Sequence, residues 1–84
     1  MYLVYILRCV DNTLYTGITN NLERRMKVHS SGKGAKYVKA RLPFKMVYCE
    51  EVGDKSSALK RERFIKKLCK KDKENLVHNF YFKK

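Results

Sequence analysis

Acidic residues are scarce in this chain. Eight aspartates and glutamates stand against twenty lysines and arginines in 84 residues, a formal net charge of +12. Such an excess opposes compaction by self-repulsion, attracts polyanions and speeds their encounter. Nucleic acid is the commonest polyanionic partner; the bland alternative is a solvated lysine-rich surface. Long apolar runs are missing too, and no stretch reaches the ~20 residues that cross a bilayer. No helix shows one bulky apolar face that could lie in lipid, so no membrane partner is expected. Met1-Tyr2-Leu3-Val4 lacks a basic leader region and the apolar run stops at Arg8, so a cytoplasmic protein is expected. Cys9, Cys49 and Cys69 are odd in number, far apart and without a C-x-x-C pair, which supports neither a zinc knuckle nor a disulfide framework. Three reduced, mostly buried thiols are expected, none with an activating neighbour. The loop Ser31-Gly32-Lys33-Gly34-Ala35-Lys36 lacks the spacing of a P-loop, which leaves nucleotide binding little support.

What is present reads as one domain, residues 1–84, burying about two-thirds of its unfolded surface around one core. Tyr2 to Cys9 is nearly all apolar, as in a strand covered on both faces. Val10-Asp11-Asn12-Thr13 carries turn chemistry, and Leu14 to Ile18 returns as a second strand near a closing glycine, Gly17. Asn20 is a natural N-cap with Glu23 at capping-box spacing, opening a helix to about His29. A short helix near Tyr37–Ala40 and a third strand from Phe44 to Val52 follow. A long helix spans about Ser56 to Lys70, and a second starts at Asp72. The order β-β-α-α-β-α-α does not alternate strictly and predicts an α+β fold, a small three-stranded antiparallel sheet flanked by helices.

The first hairpin carries a sharper expectation. A two-residue turn at Asp11-Asn12 sets Tyr5 opposite Ile18 and sends Tyr5 and Tyr15 to opposite faces. A loop of odd length or a bulge brings both phenols to one face. A site shared by Tyr5 and Tyr15 therefore predicts an odd loop or bulge between Val10 and Thr13. One helical turn apart on the following helix, Arg25 and His29 add a guanidinium and an imidazole, groups that suit phosphate chemistry. Each side chain also has a bland reading: Tyr5 and Tyr15 as packing, Arg25 and His29 as a solvated helix edge, His78 as ordinary.

Glu62 stands out on the basic helix. From Lys55 to Lys71 there are eight lysines and arginines and this single acid. At about 100° per residue, Ala58, Ile65, Leu68 and Cys69 share a stripe and Glu62 falls inside it. A carboxylate on a buried face must be paired, protonated or metal-bound. The readings are a salt bridge to Arg25 or Arg61, or an oxygen ligand for Mg²⁺ or a similar hard cation, for which one carboxylate plus waters and a substrate phosphate suffice.

Tyr5, Tyr15-Thr16-Gly17, Arg25 and Glu62, in this order and spacing, resemble the GIY-YIG nuclease domain over roughly residues 2 to 70. The first motif falls on Leu3-Val4-Tyr5, without its glycine. The second falls on Tyr15-Thr16-Gly17, with threonine for isoleucine. His29 matches a histidine that some members carry. Many members have an asparagine about twelve residues past the acid, where this chain has Glu74 and Asn75. The chain looks most like the small stand-alone bacterial members. The resemblance implies a metal-dependent phosphodiesterase acting on nucleic acid, DNA favoured over RNA. Glu62 is then the ligand of Mg²⁺ or Mn²⁺, Arg25 the charge-stabilising cation, and Tyr5 the base, supported by His29. Tyr15 positions water or phosphate, and Gly17 allows close backbone approach. Repair or recombination and a protein partner for substrate choice follow from larger relatives. Lys33, Lys36, Tyr37, Lys39, Arg61 and Lys66 are the expected nucleic-acid contacts, Tyr37 as a base-stacking ring. The competing function is a basic nucleic-acid-binding module that keeps the fold and cuts little or not at all.

Overall fold

The computed structural model describes residues 1–82, with side chains through Phe80. Along the chain run β1 (Tyr2–Cys9), β2 (Leu14–Thr19), α1 (Leu22–Ser30), α2 (Lys36–Lys39), β3 (Phe44–Gly53), α3 (Lys55–Lys67) and α4 (Lys70–Phe82). The strands form one antiparallel sheet in the order β2-β1-β3. The apolar β1 takes the central place because both its faces are covered. Val4 and Ile6 pack on one face with Val47, Ala58 and Ile65, beneath α3 and α4. Tyr5 and Leu7 pack on the other with Val38, Leu22 and Met26, beneath α1 and α2.

The hairpin loop has an odd length. Cys9 donates its N–H to the Thr13 carbonyl at 2.9 Å, leaving Val10, Asp11 and Asn12 between them. Asn12 closes the turn onto the Cys9 carbonyl at 2.9 Å and adopts φ 68°, left-handed backbone that asparagine tolerates. Tyr5 consequently faces Gly17 and Leu7 faces Tyr15, so both phenols lie on the α1 face. Gly17 does not end its strand; it sits inside β2, directly opposite Tyr5.

Several boundaries differ from the sequence expectation. Asn21, not Asn20, caps α1, its side chain accepting the Arg24 N–H at 3.0 Å. Asp54 caps α3 through the Ser57 N–H at 2.8 Å. Leu68 breaks the long helix with extended backbone, so Cys69 leaves the buried stripe and is exposed. Asp72 sits in the first turn of α4 rather than at its cap. Of the three thiols only Cys9 is buried; Cys49 is half-buried. Burial pushes the Cys9 thiol up, away from reactive thiolate. No helix among the described residues is long and apolar enough to cross a membrane.

Arg8 on β1 holds Glu74 of α4 through two hydrogen bonds, at 2.8 and 2.6 Å, a bidentate pair spanning 66 residues of chain. The Arg8 hydrogen bonds hold the Glu74 carboxyl below its usual value near 4.5. A carboxylate so lowered stabilises the fold above its unfolded pKa, and that contribution is lost as pH falls through the folded pKa. Glu74→Gln is therefore less stable than the parent at pH 7 in urea melts, and the gap closes as pH falls below about 4.5. A gap that stays constant with pH contradicts the pairing.

Candidate active site

The site begins with a ring that needs space. Tyr5 is 1% exposed, and its ring leans across Gly17 on the neighbouring strand. A methyl group added at Gly17 lies 2.5 Å from the Tyr5 hydroxyl oxygen and 2.6 Å from its Cζ. Only glycine leaves that path open. Past Gly17 the Tyr5 hydroxyl meets α1, where its Oη lies 2.8 Å from His29 Nε2 and accepts a hydrogen bond from Arg25 Nε at 3.4 Å. Arg25 and His29 reach the same oxygen because residues four apart share a helix face.

His29 is wholly buried, not a solvated helix edge. Its ring meets Tyr5, Tyr15 and Phe44 edge-on, with centroids 5.8, 5.7 and 6.0 Å away. Among the described residues its Nδ1 has no hydrogen-bond partner. Gly34 closes over that nitrogen so tightly that an added Cβ collides with it. The tautomer of a histidine is normally fixed by a partner on the second nitrogen. Among the described residues none fixes it, and Nε2, on the Tyr5 hydroxyl, is the ring nitrogen that has a partner.

Burial decides both ionisations. It pushes the Tyr5 phenol above its ordinary value of 10.0; the hydrogen bond from Arg25 opposes this, while the charges of Tyr15 and Glu62 add to it. Tyrosinate is thus not the resting state. Burial also lowers His29 below 6.5, helped by the Arg25 charge. Both partners rest neutral, a phenol on an imidazole.

Glu62 comes from α3, which packs on the other sheet face beside β2 and β1. Its side chain is 19% exposed, and its charge is felt at the Tyr5 phenol. Its ion partner is neither Arg25 nor Arg61 but Lys66, one turn on, at 3.4 Å; Lys66 is 52% exposed. Among the described residues no three histidines, cysteines, aspartates or glutamates gather as a metal cage. A half-buried carboxylate held, among the described residues, by one surface lysine is a hard oxygen donor that suits Mg²⁺ or Mn²⁺, which keep most of their waters. It does not suit zinc.

The expected nucleic-acid contacts divide. Lys33, Lys36, Lys39 and Lys66 are exposed. Arg61 is committed to Glu50 at 2.8 Å. Tyr37 is no free stacking platform: its ring stacks on Tyr15 at 5.8 Å while the Arg41 guanidinium lies 3.8 Å from its centroid. Arg41 is itself held by Asp11 of the hairpin loop at 2.9 Å. Tyr37 therefore supports Tyr15. Arg25 also lines a shallow groove with Thr19, Asn20, Asn21, Arg24 and Val28, open to an anion. A larger groove, lined by Arg8, Lys45, Glu74, Asn75 and His78 among others, lies where α4 meets β3. That is the sheet edge opposite Gly17, so neither Glu74 nor Asn75 joins the tyrosines. Sequence reasoning missed Gly34, Phe44 and Arg41, whose roles are purely of contact and leave no local pattern.

Gly17→Ala forces the Tyr5 ring from its place, and overpacking of this kind costs about 1–3 kcal/mol. Urea unfolding should show that loss, and Tyr5→Leu in the Gly17→Ala background should recover part of it. An alanine variant as stable as the parent contradicts the close approach.

The family model described as the GIY-YIG catalytic domain matches residues 1–75. The UPF0213 protein of Clostridium perfringens is 52% identical over 77 residues, 92% of this chain and 83% of that protein. The UPF0213 protein of Syntrophus aciditrophicus is 53% identical over 75 residues, 88% of this chain and 86% of that one. The solution NMR structure of the UPF0213 protein from Bacillus halodurans shares the fold with a TM-score of 0.60 and 44% identity, over 93% of this chain and 84% of that chain. The match runs through β1, β2, α1 and α3, the elements that carry Tyr5, Gly17, Arg25 and Glu62, and the chain belongs to the GIY-YIG catalytic-domain family.

Proposed function

We propose that this protein is a metal-dependent endonuclease that hydrolyses phosphodiester bonds in nucleic acid, DNA before RNA. The observation that carries the reading is the Tyr5 oxygen, set between His29 Nε2 and Arg25 Nε and within reach of the Glu62 charge. Family membership supplies the reaction class, and the preference for DNA and a role in repair or recombination rest on the larger relatives. The +12 charge supplies the attraction to a polyanion.

Glu62 is the residue to hold a divalent cation, and bound there the ion supplies charge neutralisation at the scissile phosphate and the leaving oxygen. Arg25 binds the phosphoryl oxygens and stabilises the charge that grows on them. A phosphate beside Arg25 offsets the guanidinium charge that lowers His29. The same phosphate weakens the Arg25 influence that lowers Tyr5, so the transfer is concerted: the Tyr5 hydroxyl gives its proton to His29 Nε2 as its oxygen accepts one from the attacking water. Tyr15, braced by Tyr37 and His29, orders water or phosphate at the mouth of the site.

A second reading, a nucleic-acid-binding module that does not cut, is favoured by one observation. Glu74, near the position of the family's asparagine, is taken up by Arg8. Cleavage assays on duplex, branched and single-stranded DNA, with Mg²⁺, Mn²⁺ or chelator, separate the two. Cleavage should require metal. Tyr5→Phe, Arg25→Ala and Glu62→Gln should each lower its rate by about a hundredfold or more, Glu62→Gln with thermal melts and DNA affinity near the parent's. Binding without cleavage under any metal overturns the nuclease reading in favour of the module.

A further inference from the structure

Phenylalanine is usually buried, yet Phe64 on α3 is 55% exposed. It does not sit in an apolar patch. At about 100° per residue, Lys60, Arg63 and Lys67 fall within about 60° of one another on the outer face of α3, and Phe64 follows about 40° beyond Lys60. All three basic side chains are exposed. The helix has one acid, Glu62, and it lies on the far side of this stripe. The Phe64 ring is also oriented: the Arg61 guanidinium lies 5.3 Å from its centroid, and Arg61 is anchored to Glu50 at 2.8 Å.

We propose that the outer face of α3 binds a single-stranded segment of nucleic acid, with Phe64 stacking on an unpaired base and Lys60, Arg63 and Lys67 holding its phosphates. A row of cations around one fixed ring suits such a strand, because every base has a face to stack and every linkage has a charge to neutralise. The bases of an intact duplex are already stacked and leave Phe64 nothing to meet. The face does not suit a second copy of the chain, since three like charges would meet three. It does not suit a lipid surface either: Leu59, the other exposed apolar residue of this helix, lies about 140° from Phe64, so no apolar side is continuous.

The stripe also leads to the candidate site. Around the helix from Phe64, the basic residues pass through Arg63 to Lys66, which is paired with Glu62. The inference rests on the nucleic-acid reading above and adds a substrate shape: a duplex carrying an unpaired flank, with the flank on α3 and the backbone at Tyr5. It concerns binding and does not require that Tyr5 cuts.

The chain contains no tryptophan, so Phe64→Trp places a single fluorescent reporter on this face. Its emission should be quenched by a single-stranded oligonucleotide and much less by a blunt duplex, with the quench reversed by salt. Phe64→Ala should weaken single-strand affinity in anisotropy roughly tenfold. Lys60→Ala, Arg63→Ala and Lys67→Ala should each reduce the salt slope by about 0.7. Single-strand binding that leaves the tryptophan unquenched and is unchanged in Phe64→Ala overturns this surface while the nucleic-acid reading stands. No binding to any nucleic acid overturns both. Quenching by anionic vesicles in place of oligonucleotides, or by self-association in sedimentation, overturns the proposal in favour of a lipid or a second copy.

Discussion

The hydrogen bond between Tyr5 and His29, 2.8 Å long, depends on one missing side chain. Without the open path over Gly17 the Tyr5 ring cannot lean across β2 to α1. That path is useful only because the three-residue hairpin loop sets Tyr5 opposite Gly17. A loop shorter by one residue turns the two phenols to opposite faces. From the other side, the Asn21 cap sets where α1 begins and so which residues face the sheet. Gly34 then seals the imidazole from behind. Backbone geometry at four separated points converges on a single oxygen atom.

Enclosing that oxygen has an electrostatic consequence. Burial disfavours charge on either partner, so the phenol and the imidazole rest neutral across their hydrogen bond. The charged members, Arg25 and Glu62, stand to the sides and influence Tyr5 in opposite directions. A substrate phosphate at Arg25 and a cation at Glu62 change both influences at once. A cation at Glu62 would relieve the part of the Tyr5 shift due to that carboxylate, whereas a phosphate drawing on Arg25 would add to it.

Much of this was legible in the sequence. The strand and helix order follows from periodicity and turn chemistry; the odd hairpin loop was legible as the condition for Tyr5 and Tyr15 to share a face, and the gathering of those two with Arg25 and His29 came with the family resemblance. Glu62 was legible as the one acid on a basic helix, although its partner Lys66 was not, because several cations stood within reach on the wheel. The errors fall where tertiary contact overrides local pattern. Tyr37 looks like a surface ring beside two lysines, but Tyr15 and Arg41 engage it. Arg61 looks like a phosphate contact, but Glu50 holds it. Leu68 ends α3 one turn early, which no glycine or proline in the sequence announces. Gly34 is invisible locally, since its role is the space it leaves for a ring five residues back.

The most direct measurement is the titration of Tyr5 itself, followed by NMR in protein labelled at tyrosine Cζ and assigned with Tyr5→Phe. The free protein should show Tyr5 ionising above the ordinary value of 10.0, as burial dictates. Adding Mg²⁺ should bring that ionisation down by cancelling the Glu62 charge, an effect that Glu62→Gln should abolish, and a phosphodiester oligonucleotide that draws on Arg25 should push it up. A Tyr5 titration that ignores metal and oligonucleotide alike contradicts the account, because the phenol then has no part in the chemistry its neighbours surround.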